Sequence, residues 1–276
     1  MKSRPDSTLL RSAILLALTL VVAACSGDND KDKLPPDQPV AVLYDKATKL
    51  MGAHEYADAS KAFEEVERQH PYSPWATRAQ LMEAYADYQG LAYDAALATL
   101  ETYIELHPGN KDIAYAYYLR ALCYYERIAD VERDQTDTRG ALKALQDVAS
   151  RYPGTVYARD AKLKIALVND HLAGYNMSIG RWYLGQHLYI AAIGRFKTVI
   201  KDYQTTSYAP EALERLVECY LALGIPSEAK ATAAVLGYNF PGSKWYEDAY
   251  ALLKAKHLEP EKNDKSWIAG VWDTVF

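Results

Sequence analysis

The sequence has little of what usually marks a metal site, a catalytic centre or a nucleic-acid interface. Its 276 residues include three cysteines and six histidines, and no two histidines have the spacing of a metal-ligand motif. Motifs of hydrolytic serines, phosphate loops and dinucleotide sites are also missing. Acidic residues outnumber basic ones by 36 to 31, for a net charge of −5, which leaves no broad basic face for nucleic acid. We therefore predict no enzyme activity, no catalytic or metal-binding residue, no cofactor and no nucleic-acid partner.

Long apolar runs are scarce too, and the most pronounced one is too short for a comfortable membrane span. It covers residues 13–24 and follows a positively charged start with Lys2, Arg4 and Arg11. This pattern is typical of an export signal, which we predict over residues 1–24. This export signal could be an ordinary signal peptide that happens to be followed by a cysteine, or it could be the signal of a lipoprotein.

The residues around the end of this run resemble the lipoprotein box of bacteria. Val-Ala-Ala-Cys occupies residues 22–25, so we predict that Cys25 is acylated and anchors the chain in a lipid bilayer, where several acyl chains hold more firmly than one. Ser26 rather than aspartate follows the cysteine, which by the lipoprotein sorting rule indicates the outer membrane, with the chain on its periplasmic face. Residues 25–39 are poor in apolar side chains and predict a flexible tether.

A small residue recurs through the rest of the chain, with larger apolar residues four and seven positions after it. The recurring residues are Ala59, Ala96, Ala141, Ala192 and Ala229. A proline stands twelve positions after four of them, and Gln204 stands there in the fourth case. Antiparallel helices approach closely where one offers a small side chain, and proline ends the second helix. The pattern is typical of tetratricopeptide repeats, which are helix–turn–helix units of about 34 residues.

The predicted fold is therefore all-α, a tetratricopeptide solenoid of five units over residues 40–256 with a C-terminal capping helix near residues 244–256. Stacked units form a long concave surface that usually binds rather than catalyses. Residues 257–276 are predicted to be a linker and a short amphipathic tail. Ile268, Val271, Trp272 and Val275 would share one helical face there. The tail is open to three interpretations: a helix folded back on the solenoid, a docking segment for a partner, or disorder.

The spacing of the alanines is uneven, and two long intervals locate additions to the basic repeat. The interval of 45 residues from Ala96 to Ala141 contains the charged stretch at residues 130–137. This stretch predicts an exposed loop between the two helices of unit three. The interval of 51 residues from Ala141 to Ala192 contains residues 156–174, which keep helical periodicity. They predict an extension fused to the first helix of unit four.

The two cysteines within the repeats, Cys123 and Cys219, occupy equivalent positions of the first helices of units three and five. They stand too far apart along the solenoid for a disulfide. We predict that both are buried small side chains.

Tyrosine is abundant, with 23 residues against four phenylalanines. In this class of repeat, certain positions of the first helix face the concave surface, and six tyrosines fall at them. They are Tyr44, Tyr85, Tyr88, Tyr115, Tyr118 and Tyr125. Tyrosines combine a large contact area with one hydroxyl and little side-chain entropy to lose, which favours a groove for an extended peptide. The alternative is that individual rings pack between helices.

Three segments resemble the BamD family, the lipoproteins of the outer-membrane β-barrel assembly machinery. They are Pro-Tyr-Ser-Pro-Trp at residues 71–75, residues 112–120, and the charged stretch at residues 130–137. The likeness runs from the lipoprotein box through all five repeats. It implies a scaffold that contacts the BamA-type barrel subunit and accessory lipoproteins. It also implies that the amino-terminal repeats receive the C-terminal segments of unfolded outer-membrane proteins.

On this resemblance, the candidate partner-binding residues are Glu132, Arg133 and Asp134 of the charged stretch and Arg195 of unit four, whose surroundings would dock the barrel subunit. A second hypothesis, from another functional class, is a repeat lipoprotein that coordinates cell-wall synthesis or envelope constriction. Such a protein would associate with peptidoglycan enzymes and would usually carry a coiled-coil trimerisation segment, which this sequence lacks.

Overall fold

The computed structural model describes residues 37–258. The predicted signal, Cys25, the tether up to residue 36 and the apolar face of the tail lie outside the described residues. Within them the chain forms eleven α-helices and no strand. In chain order the helices are α1 Val40–Gly52, α2 Tyr56–Gln69, α3 Pro74–Gln89, α4 Tyr93–Leu106, α5 Ile113–Tyr125, α6 Thr136–Arg151, α7 Val156–Gly185, α8 Tyr189–Asp202, α9 Ala209–Ala222, α10 Pro226–Asn239 and α11 Lys244–Ala255.

Consecutive helices pair into five helix–turn–helix units, from α1 with α2 to α9 with α10, and α11 covers the last pair. Each second helix packs on its own first helix and on the first helix of the next unit. The first helices of units one to four also contact one another in sequence, so they line the inner face and the second helices form the outer face. The predicted five-unit all-α solenoid with a C-terminal cap is confirmed.

The five recurring alanines lie at the centre of the units. All five alanines are fully buried, and so are the residues four positions after them: Phe63, Leu100, Leu145, Phe196 and Ala233. Two glycines allow close side-chain contacts: a Cβ placed on Gly180 would lie 2.5 Å from a ring carbon of Phe196, and one placed on Gly237 would lie 2.5 Å from a ring carbon of Tyr246. Only glycine permits that distance, because real Cβ atoms do not come so close to other carbons.

The two long intervals have the origins that their sequences predict. Helix α7 is one continuous rod of 30 residues, and the Thr155 hydroxyl accepts a hydrogen bond from the Ala158 amide at its start (3.1 Å). The charged stretch joins α5 to α6 as a largely exposed loop, although α6 already begins at Thr136. Helix α3 begins at Pro74, because proline fits the first turn of a helix.

One residue of the charged loop is buried rather than exposed. Gln135 donates from Nε2 to the carbonyl oxygens of Asp130 (3.1 Å) and Arg133 (3.0 Å). Its Oε1 accepts a hydrogen bond from the Thr138 hydroxyl (2.8 Å). Since three hydrogen bonds satisfy the buried amide, Gln135 holds the loop closed on the start of α6.

Cys123 and Cys219 are buried free thiols, as predicted. Burial raises the pKa of each to about 12, so both stay protonated and unreactive at neutral pH. In the part of the chain that the structure describes, no helix has the length and apolar content needed to cross a membrane.

The turn inside four of the units places one residue in the left-handed region of backbone space. These residues are His54 (φ 61°), Leu91 (φ 60°), His187 (φ 59°) and Gly224 (φ 73°). Glycine adopts this conformation freely, whereas a Cβ makes it unfavourable. Three of the four turns therefore carry local strain that the fifth unit avoids.

Replacing Leu91 with glycine is expected to raise the free energy of unfolding by roughly 0.5–1 kcal/mol, because it removes this strain and loses little burial. Leu91 is 70% exposed. Urea denaturation followed by far-ultraviolet circular dichroism measures the change. Leu163→Gly is the matched control, since Leu163 is a similarly exposed leucine in the interior of α7, where glycine is expected to destabilise. Equal destabilisation by both changes would contradict the assignment of strain to position 91.

Candidate functional site

Four of the six predicted tyrosines come together on the inner face of units two and three. Tyr85 and Tyr88 on α3 adjoin Tyr115 on α5, and Tyr118 follows one turn after Tyr115. The rings of Tyr115 and Tyr118 both contact Tyr157 at the start of α7, with centroids 5.6 Å and 5.2 Å away. These five residues are called the tyrosine groove below. The groove crosses three successive first helices, as a surface for an extended ligand should.

Tyr157 is a member of the groove that the sequence reasoning missed. The groove positions predicted from the repeat fall in units one to three, and the sequence predicts residues 156–174 as an extension of unit four. Tyr157 nevertheless stands near the start of α7 as Tyr115 stands near the start of α5. Comparing helix starts rather than repeat intervals would have found it.

The groove has a polar rim made by carboxylates. The Tyr118 hydroxyl donates to Asp160 Oδ2 (2.5 Å), and Lys164 Nζ pairs with the same oxygen (3.0 Å). The hydrogen bond from Tyr118 is the main cause of the lowered pKa of Asp160. At the other end, the Tyr88 hydroxyl lies 3.5 Å from Glu126 Oε1. The rim orients two hydroxyls, and the ring of Tyr118 is stacked on that of Tyr157.

Burial controls the ionisation of the groove. It raises the pKa of Tyr88 to about 12 and raises the pKa of Tyr115 and of Tyr118 further. Neutral phenols are hydrogen-bond donors as well as acceptors. At neutral pH the groove therefore offers uncharged aromatic faces and hydroxyls, which suit peptide binding.

The other two predicted tyrosines lie outside this cluster. Tyr44 in unit one contacts Phe63 and Trp75, with ring centroids 5.4 Å and 4.9 Å away. Tyr125 packs on the core of unit three, with Lys164 Nζ 5.2 Å from its ring centroid. Both rings are half-buried, as are those of the groove. The structure thus forms one continuous groove in units two to four and a separate aromatic contact in unit one.

The predicted partner-binding residues occupy two different surfaces. Glu132, Arg133 and Asp134 are exposed in the charged loop, where Asp134 Oδ1 accepts a hydrogen bond from the Thr136 amide (2.9 Å). Arg195 is half-buried on α8, a second helix. Across residues 37–258, no hydrogen bond or ion pair joins Arg195 to the loop.

The charged loop reaches the inner face of unit four. Glu132 borders a depression of about 380 Å³, whose other wall is the second half of α7, including Tyr175, Ile179 and Trp182. The Trp182 side chain is 60% exposed. An exposed tryptophan beside a charged loop is a combination typical of protein interfaces.

The groove and the charged loop present aromatic, hydroxyl and charged side chains. In the part of the chain that the structure describes, no three His, Cys, Asp or Glu side chains are grouped as metal ligands would be. The groove contributes aromatic faces, hydroxyls and two rim carboxylates, and the loop contributes charges of both signs.

Comparison with known proteins decides the family. The model of the YfiO outer membrane lipoproteins matches residues 36–236. This chain belongs to the YfiO/BamD family. It is 51% identical over 254 residues to outer membrane protein assembly factor BamD of Caulobacter vibrioides, covering 91% of this chain and 83% of that protein. The resemblance noted from the sequence is thereby confirmed.

Two further relatives of the family carry the same name. The factor of Rickettsia prowazekii is 46% identical over 247 residues, covering 90% of this chain and 97% of that protein. The factor of Neisseria gonorrhoeae is 35% identical over 248 residues, covering 86% and 93%. All three relatives are named outer membrane protein assembly factor BamD.

Proposed function

We propose that this chain is a lipid-anchored scaffold for the assembly of β-barrel proteins in the outer membrane, acting by binding and without a cofactor. The observation that carries the proposal is the 51% identity to an outer membrane protein assembly factor across 91% of the chain. The alternative role in cell-wall synthesis or envelope constriction is not favoured, because these relatives are named as assembly factors.

Anchoring through acylated Cys25 would hold the scaffold at the periplasmic face of the outer membrane. The description of the family as outer membrane lipoproteins supports this part of the proposal, together with the lipoprotein box at residues 22–25. Several acyl chains would make the attachment stable, since a single chain binds a bilayer only marginally.

The tyrosine groove would receive the C-terminal segment of an unfolded barrel protein. Such a segment ends in an aromatic residue, and ring-to-ring contacts with Tyr118 and Tyr157 would hold it at low entropic cost. Hydroxyls of the groove would pair with the backbone of the extended peptide, which otherwise loses its hydrogen bonds to water. Tyr44 in unit one and Tyr125 beyond the cluster would extend the contact surface at its two ends.

The remaining predicted residues would dock partners. The charged loop with Glu132, Arg133 and Asp134, and the face around Arg195, would contact the BamA-type barrel subunit and accessory lipoproteins. The anchoring of the loop by Gln135 supports this role, because a preorganised loop loses less entropy on binding. The charges at the edge would set orientation and association rate more than affinity.

Removal of one groove ring should weaken the binding of a peptide that ends in phenylalanine. Tyr118→Ala and Tyr157→Ala are each expected to raise its Kd about tenfold, the effect of losing one well-buried aromatic contact. Tyr118→Phe keeps the ring and is expected to have a smaller effect. Fluorescence anisotropy with a labelled peptide measures the affinities.

Tyr238→Ala is the matched control for this experiment. Tyr238 is 46% exposed on α10, a second helix on the outer face. Its removal is expected to leave the Kd unchanged. Equal weakening by the groove and control variants, or crosslinking of the peptide to the outer face alone, would remove the groove from the proposal.

A further inference from the structure

The last described turn of the chain, which follows α11, has the geometry of the turns inside the units. His257 lies in the left-handed region (φ 59°), as do the turn residues of units one, two, four and five. Its amide donates to the Lys254 carbonyl, and the Leu258 amide donates to the Leu253 carbonyl, both at 3.0 Å. The same two hydrogen bonds close the first helix in those four units, at 2.8–3.2 Å. Helix α11 therefore ends as a first helix ends.

The second helices end in a different way. Each is followed by a cap residue with φ between −125° and −133°. These residues are His70, His107, Tyr152, Tyr203 and Phe240. The chain thus leaves α11 through the kind of turn that precedes a second helix. Leu258, where the described residues end, is half-buried against the core shared by units four and five, so the chain still contacts the solenoid at that point.

The side of α11 that a second helix would cover is open in the described part of the chain. Helix α11 packs on α9 and α10, and its Tyr250 is 44% exposed. Seven positions before the left-handed turn residue, where Tyr250 stands, units one, two, four and five have buried residues: Ala47, Ala84, Gly180 and Val217. In unit four, Phe196 of the second helix covers this position. We call the side of α11 with Tyr246 and Tyr250, whose ring centroids lie 6.3 Å apart, the end face.

The sequence after the turn does not suit a sixth second helix of the usual kind. Five positions after the turn residue, where the four units have alanine, the chain has Lys262. Four positions later, where they have an apolar residue, it has Ser266. Tyr250 is itself larger than the residues at its position in the other units. Since the distance between packed helices depends on the side chains at the contact, the end face needs a cover that differs from a repeat helix.

We propose that the chain's own tail covers the end face, with its apolar side docked against Tyr246 and Tyr250. That side consists of four residues that a helix would bring together: Ile268, Val271, Trp272 and Val275. Contact of Trp272 with the two tyrosine rings would bury large aromatic area, which stabilises such packing beyond the area alone. Residues 259–265 are polar apart from Pro260 and would serve as the connection. The inference does not rest on the proposed function.

The tail is long enough to reach any part of the end face. Ten residues lead from Leu258 to Ile268, and an extended chain of that length spans about 30 Å. Helix α11 has 12 residues and is therefore about 18 Å long. Attachment to the same chain also gives the tail a high effective concentration at this face, which a separate partner lacks.

The charges of the tail favour docking on protein over docking on a membrane surface. Residues 266–276 contain one acidic residue, Asp273, and no lysine or arginine. Helices that lie on anionic membranes usually carry basic residues on their polar side. The apolar side of this segment therefore has a better partner in the end face than in a lipid surface.

Photo-crosslinking of the full chain, purified from membranes in detergent, tests the docking. With p-benzoylphenylalanine in place of Tyr250, the expected product joins residues 245–254 to residues 266–276 of the same molecule. Trypsin releases both segments as separate peptides, because Lys244, Lys254 and Lys265 border them, and mass spectrometry identifies the product. The same probe in place of Tyr72, which is 100% exposed in unit one, is the control and should not react with residues 266–276.

Hydrogen exchange measures the cover itself. Trp272→Ala, and a chain shortened to end at Leu258, are each expected to speed amide exchange within α11 by about tenfold, because the helix loses packing on one side. Trp272→Phe keeps an aromatic ring and should have a smaller effect. Asp273→Ala is the control, since Asp273 would stand opposite the apolar side of the tail helix. Exchange in α3 should remain unchanged in every variant.

Several results would overturn the proposal. A product that joins position 250 to a second molecule would make the end face an interface between copies, and reaction of the Tyr72 probe to the same extent would mean unspecific contact. Faster exchange in the shortened chain but not in Trp272→Ala would remove the apolar side of the tail from the contact. Unchanged exchange in both would show that α11 has no such cover. Trp272→Ala should leave peptide binding in the tyrosine groove intact, so the two proposals fail separately.

Discussion

Replacing Phe196 with alanine is expected to lower the free energy of unfolding by about 4 kcal/mol. Phe196 is fully buried in the apolar core shared by units four and five. Its ring fills the space left by Gly180, where an added Cβ would lie 2.5 Å from a ring carbon. Truncation would remove the buried ring and leave a cavity that the two helices cannot close without shifting against their neighbours. Urea denaturation followed by circular dichroism measures the loss.

Ile190→Ala is the control on the same helix. Ile190 is 78% exposed, so its truncation should change stability by no more than about 0.5 kcal/mol. Gly180→Ala tests the contact from the other side and is expected to cost roughly 1–3 kcal/mol through overpacking. Combining it with Phe196→Leu should cost less than the sum of the single changes, because the smaller side chain relieves the clash. Strict additivity would show that the two residues do not interact.

The architecture was predictable because the same short-range packing problem is solved five times. Each alanine permits one helix crossing, and the large residue four positions later fills the adjacent space, as for Phe63 after Ala59 and Phe196 after Ala192. Such rules involve neighbours within one unit, so they are visible in the order of residues. The continuous helix α7 was predictable for the same reason, since its periodicity is unbroken.

The site was less predictable because its members meet across units. Tyr157 lies 42 positions after Tyr115 in an extended unit, and only the stacking of α5 against α7 brings the rings together. Gln135 belongs to a charged loop by composition, yet it is buried and its amide is hydrogen-bonded to the loop backbone.

A charge network joins α7 of unit four to α9 of unit five, and its carboxylates Glu211 and Glu214 are buried. Arg181 binds Glu211 through two hydrogen bonds of 2.8 Å and 2.5 Å, and Arg215 pairs with Glu218 (2.9 Å). Glu214 is only 3% exposed. Its Oε2 lies 3.3 Å from Arg215 Nε, but neither atom forms a hydrogen bond within the described residues. Glu214 is therefore the member of the network whose charge is least well satisfied.

Glu214→Gln is expected to stabilise the protein by about 3 kcal/mol at pH 8 and by no more than about 1 kcal/mol at pH 5. Burial and nearby Glu218 and Asp248 raise the pKa of Glu214 from 4.5 to about 7, against the opposing effect of Arg215. Between pH 4.5 and pH 7, Glu214 holds a proton in the folded chain and has released it in the unfolded chain. The stabilising contribution of that proton is complete below pH 4.5 and is lost as pH rises through 7.

Glutamine remains neutral at both pH values, so the variant does not lose stability in this way. Urea denaturation of the native chain and of Glu214→Gln at pH 5 and pH 8 measures the difference in the free energy of unfolding. Glu247→Gln on α11 is the control, because Glu247 is exposed and its replacement should matter little at either pH. A gain from Glu214→Gln of the same size at pH 5 and pH 8 would contradict the assignment, since a change in packing alone does not depend on pH. A gain in stability that is confined to high pH requires that ionisation of Glu214 is unfavourable in the folded solenoid, because its surroundings disfavour the charge.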